Sequence, residues 1–118
     1  MKKIKAKVVG VMFENEKRYG GRNRQDILKE IYEERGSEII LGAHYMERKN
    51  GEGEAVCLYD IDTKQIVGWI SKEDSVSITR RNHAMYYLGH IAYHGCYHVT
   101  VESISAKKME EWKNKNVA

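Results

Sequence analysis

The sequence predicts a mainly β fold, α+β by element count, closed as a small barrel of about six strands with two short helices. Three observations predict it. Short runs of alternating apolar and polar residues recur along the chain, separated by turns that rely on Gly, Asn and Asp. Only two segments combine a helical apolar pattern or acidic first turn with a capping residue ahead of it. A length of 118 residues suits one hydrophobic core and not two.

Residues 3–14 read as the first strand. Lys3, Lys5 and Lys7 alternate with Ile4, Ala6 and Val8, the period of a half-exposed strand. From Val9 onward both faces are apolar, and Gly10 at the changeover suits a bulge or sharp bend. Residues 15–23 are polar, contain Gly20-Gly21 and read as a loop. Asn23 is an N-cap residue, and Asp26 suits the positive end of the helix dipole. Ile27, Leu28, Ile31 and Tyr32 form one apolar stripe, and Gly36 ends the helix.

Residues 37–47 predict the second strand, with Ile39, Leu41, Ala43 and Tyr45 on one face. Residues 47–53 connect it to a third strand at about 54–61. Asp62-Thr63-Lys64 turns the chain into a fourth at about 65–70. Ser71 caps a second helix that runs to about Thr79, with Glu73 and Asp74 in its first turn and Arg80-Arg81-Asn82 near its end. Residues 85–94 and 98–104 form a final hairpin. A loop of Gly95-Cys96-Tyr97 pairs Tyr93 with Val99 and Ile91 with Val101, which keeps apolar residues on one face. A two-residue loop would set Tyr93 opposite His98 instead. Residues 1–105 make one domain, and 106–118 form a Lys/Glu-rich tail, either a helix docking Met109 and Trp112 or disordered.

The net charge of +3 is weakly basic and by itself implies no nucleic acid. No stretch has the length of a membrane span, and the basic start lacks the apolar run of a signal peptide. A cytoplasmic protein without membrane association is expected. Cys57 and Cys96 are far apart and read as free thiols. The acids Glu14, Asp60 and Asp62 make no argued pair, and no P-loop, H-E-x-x-H or nucleophile elbow is present. A non-catalytic protein without a cofactor is the expectation.

Three segments remain to be joined: Val9-Gly10-Val11-Met12-Phe13, then Arg24-Gln25-Asp26-Ile27-Leu28, then Gln65-Ile66-Val67-Gly68-Trp69-Ile70-Ser71-Lys72-Glu73. Their order and spacing, with Ala55-Val56 between, resemble the HIRAN domain over roughly residues 5–104. The resemblance implies an OB-like barrel that reads single-stranded DNA ends in eukaryotic fork-remodelling translocases. It implies that Arg24 and Gln25 stand at one element of the grip and Trp69 and Lys72 at another. The family's N-P-Y-D-x-N-A loop is replaced by Lys49-Asn50-Gly51-Glu52-Gly53-Glu54-Ala55. The Tyr position carries Gly51 and the Asp position at best Glu52. General contact with single-stranded nucleic acid, DNA first, is therefore implied more strongly than a grip on a 3′-hydroxyl.

Each of these residues also has a plain structural reading. Trp69 stacks a base or lines the barrel wall. Arg24 and Lys72 meet phosphate near helix starts or are solvated charges. The Lys3, Lys5 and Lys7 stripe reads as protection of an exposed strand edge. His90, His94 and His98, with Cys96, read as a polar strand face before a metal site, which zinc would need to complete with three or four ligands. The other readings are a protein-interaction or self-association module, homo-oligomers included, and, more distantly, a metal-dependent hydrolase on the histidine face. His44 and His83 have no assigned partner.

Overall fold

A computed structural model of the chain describes residues 5–47, 53–79 and 84–116. Lys3, residues 48–52, Arg80-Arg81-Asn82 and His83 lie outside the described residues, and so do the expectations placed on them. The described elements are β1 (Lys5–Val9), α1 (Arg24–Arg35), β2 (Glu38–Glu47), β3 (Glu54–Asp60), β4 (Ile66–Ile70), α2 (Lys72–Thr79), β5 (Tyr86–Tyr93), β6 (Tyr97–Ile104) and α3 (Ala106–Asn116). The six strands close into an antiparallel barrel in the order β1-β4-β3-β2-β5-β6. This architecture is consistent with a small OB-like barrel.

The alternation predicted from sequence fills the barrel. Ala6 and Val8 of β1, Ile39 and Leu41 of β2, Val56 and Leu58 of β3 and Val99 and Val101 of β6 share the core. Ile27, Leu28 and Ile31 of α1 cover one end of it. Tyr32, expected in the same stripe, is 39% exposed. It lies at the stripe's margin, where its ring packs 5.6 Å from that of Tyr97. Asp60 is fully buried and is held by Arg35 at the end of α1, by the Thr63 hydroxyl and by the Asp62 N–H. That network ties the β3–β4 turn to the first helix. Burial works against the Arg35 charge, but the hydrogen bond and charge of Asp60, with Asp62 beside it, outweigh burial and raise its pKa.

Three expectations are corrected. β1 stops at Val9, not at residue 14, because Gly10 takes a left-handed φ of +76° and the Phe13 N–H closes a turn onto its carbonyl at 3.3 Å. β1 is not a free edge, since it pairs with both β4 and β6, so its lysines have no edge to protect. Of the two alternatives for the tail the helix is the one present, with Met109 buried and Trp112 half-buried. The β5–β6 hairpin pairs Tyr93 with Tyr97, Ala92 with His98 and Ile91 with Val99. Its loop is His94-Gly95-Cys96, with Gly95 in the left-handed region at φ +77°. The shift from the predicted register is two residues, so the apolar face is kept. His98 stands opposite Ala92 and not His94.

Ile31 is 4% exposed and packs in the core, so Ile31→Ala should cost about 2–5 kcal/mol in denaturant unfolding. An unfolding midpoint equal to the parent's would remove this stripe from the core. Gly68 leaves no room for a methyl group: a Cβ there would stand 2.6 Å from Val8 Cγ1 and 2.8 Å from the Val9 carbonyl oxygen. Gly68→Ala should destabilise by about 1–3 kcal/mol or more, measured the same way.

Candidate nucleic-acid interface

The corner at the end of β1 brings two of the predicted residues, Arg24 and Trp69, together. A Cβ placed on Gly10 would stand 3.1 Å from Arg24 Nη1, 3.6 Å from Trp69 Cδ1 and 3.9 Å from Phe13 Cδ2. A guanidinium and two aromatic rings thus crowd one backbone position that has neither side chain nor ordinary φ. Trp69 reaches it from β4, where it pairs with Val9, and is half-buried. Phe13 is 68% exposed, and Met12 beside it is also exposed.

Arg24 arrives by a folded-back loop. The Asn15 N–H donates to the Arg22 carbonyl at 2.8 Å, and the Arg24 N–H donates to the Phe13 carbonyl at 3.1 Å. Asn23 caps α1 by accepting the Gln25 N–H at 2.8 Å, as its position predicts. The Arg24 side chain then turns back: Nε donates to Asn15 Oδ1 and Nη1 to the Gly10 carbonyl, both at 2.7 Å. Asn15 is 4% exposed and donates its own amide to the Ile66 carbonyl at 2.9 Å. Both acceptors of the guanidinium are neutral. Among the described residues no carboxylate pairs with it. Burial lowers its pKa from the ordinary value, with the nearby Cys57 acting slightly the other way. Arginine stays charged regardless.

Gln25 is fully engaged by backbone. Its amide nitrogen donates to the Val11 carbonyl at 3.1 Å and the Tyr97 carbonyl at 2.8 Å, and its oxygen accepts the Tyr97 N–H at 2.8 Å. It therefore positions the corner and the hairpin. Lys72 is exposed at the first position of α2. The chain reaches it through Ser71, whose N–H donates to the Lys7 carbonyl at 3.0 Å. That course leads back along β1, away from Gly10. The start of α2 is also occupied. Ser71 Oγ donates to Asp74 Oδ2 at 2.8 Å, and the same oxygen accepts the Lys7 N–H at 3.0 Å. A carboxylate already sits at that helix start, which disfavours a second anion there.

The histidines divide between the middle of the hairpin and its tip. His90 lies 3.5 Å from Glu102, while His98 Nε2 lies 3.3 Å from Cys96 Sγ at the tip. Among the described residues, no three His, Cys, Asp or Glu side chains form a metal-binding group. None of the described helices is long and apolar enough to cross a membrane.

Sequence reasoning missed Asn15 and the supporting role of Gln25. A loop asparagine carries no sign that it will be buried. The Ser71-to-Asp74 spacing was a usable signal, since a serine followed three residues later by an acid marks a self-capped helix start. Compared with protein-family models, curated proteins and solved structures, the chain gives no match.

The two thiols should behave differently. Cys57 is buried beside Arg24, and burial pushes its pKa from 9.0 up to about 11, against the smaller pull of the guanidinium. Its thiol therefore stays protonated until pH approaches that value, and the thiolate is the reactive form. With a chromogenic disulfide reagent at pH 8, the folded protein should release about one equivalent quickly, from Cys96, and a second only after unfolding. Two fast equivalents from folded protein would contradict this burial.

Proposed function

We propose that the protein is a HIRAN-like, non-catalytic binding module for single-stranded nucleic acid, DNA or DNA ends first. The observation that carries the reading is Arg24. Its half-buried guanidinium is held by two neutral oxygens, without a carboxylate among the described residues, beside the Trp69 ring and the exposed ring of Phe13. Nε and Nη1 are used, so Nη2 faces no protein acceptor among the described residues. A phosphate oxygen suits that donor, and a base suits the adjoining rings. Lys72 would add a separate contact to the backbone of a longer ligand. The exposed Met12 and Phe13 favour the second reading, in which this apolar corner meets a protein partner or a second copy of the chain.

Anisotropy titrations of labelled single-stranded oligonucleotides at several salt concentrations separate the two. Arg24→Gln and Lys72→Ala should each weaken binding alike for all sequences and flatten the salt slope by about one unit. Trp69→Ala should cost about 1–3 kcal/mol with the slope nearly unchanged, because stacking releases few counterions. Thermal midpoints of the variants identify any loss that comes from unfolding. No binding at low salt, or parental binding by a folded Arg24→Gln/Lys72→Ala double variant, would discard the nucleic-acid reading in favour of the interaction module.

A further inference from the structure

The corner does not end at Gly10. One nitrogen of Gln25 reaches both the Val11 and Tyr97 carbonyls, at 3.1 Å and 2.8 Å, so those two oxygens lie within about 6 Å of each other. The tip of the β5–β6 hairpin is therefore seated directly against the β1 corner. Tyr97 carries its ring into an aromatic row there. It lies 5.6 Å from the Tyr32 ring on one side and 4.9 Å from the Tyr93 ring on the other, tilted against both. Tyr93 is the outer member and is 57% exposed. Gln25 follows Arg24 at the start of α1, so the helix turn that sets the cation beside Trp69 and Phe13 is also bonded to the base of the Tyr97–Tyr93 hairpin.

Resting on the proposed function, we infer that Tyr93 is a second stacking platform, and that the ligand is a run of several nucleotides rather than a terminal nucleotide alone. A phosphate at Arg24 has a base on either side of it. One base meets the Trp69–Phe13 face, and the next is directed toward the hairpin tip. Tyr97, itself packed on Tyr32, backs the Tyr93 ring and restricts its rotation, which lowers the entropy lost when a base stacks on it. Stacking on an aromatic ring is tolerant of sequence, so this platform extends the footprint without adding base preference. The occupant is the continuation of the same strand, because the platform is continuous with the Arg24 corner through Gln25.

The test is affinity as a function of length, from a mononucleotide to about eight nucleotides, for the parent, Tyr93→Ala and Tyr93→Trp. Parental affinity should rise with length. Tyr93→Ala should leave mononucleotide binding unchanged and weaken the oligonucleotides by about five-fold or more. Tyr93→Trp should restore the length dependence, which a merely structural role for the phenol would not do. Length-independent affinity of the parent, or equal length dependence in Tyr93→Ala, would overturn the platform while leaving the Arg24 site standing. Absence of binding at every length and at low salt would overturn both.

Discussion

The barrel closes along a short seam between β1 and β4. Only Val8 and Val9 pair with Ile70 and Trp69 there. The seam is prolonged by two bonds that are not part of the strand ladder. The Ser71 N–H reaches the Lys7 carbonyl, and the Lys7 N–H reaches the Asp74 carboxylate. Such a close approach of two backbones needs a residue without a side chain, and Gly68 supplies it, with Val8 and Val9 atoms filling the space its Cβ would take. Without this seam β1 would pair on one side only, and the sheet would keep two open edges.

The site is a consequence of how the seam ends. β1 cannot continue past Val9, because Gly10 turns the chain in a left-handed conformation. Its carbonyl then lacks a strand partner and accepts from the Phe13 N–H and from Arg24 Nη1 instead. Nε of the same guanidinium satisfies the buried Asn15, which in turn bonds the start of β4. One side chain thus joins the end of β1, the loop after it and the edge of β4. Trp69 lies beside it because the seam pairs that residue with Val9. The cation and the ring are adjacent through backbone pairing, not by an independent arrangement of side chains.

The parts of this fold governed by local rules were legible in the sequence. Asn23 capping, the Ile27–Leu28–Ile31 stripe, the turn after Asp60 and the alternation of β1 and β5 depend on residues close in the chain. Hairpin register was not legible, because a two-residue slip leaves the same residues facing the core. What distinguishes the two registers is tertiary: Gln25 accepts and donates at Tyr97, and the Tyr93 and Tyr97 rings meet at 4.9 Å. The burial of Asn15 and the engagement of Gln25 were hidden for the same reason, since both partners lie far away or across a loop.

A structural role for Arg24 and a ligand-binding one do not compete. The guanidinium is a planar fork with five donors, and the fold uses it along the Nε–Nη1 side. Fixing that side fixes the plane, so the orientation of Nη2 is set before any ligand arrives, and little further order is lost on binding. The partial burial that lowers the Arg24 pKa also removes solvent that would screen an incoming anion. Paired with a carboxylate, the same arginine would have its charge already neutralised. Held by a carbonyl and an amide, it keeps that charge at the surface of the corner, next to rings that offer faces and edges but no negative group. Lysine could not replace it, because a single ammonium cannot hold Gly10 and Asn15 in that planar geometry and still present a separate, oriented donor.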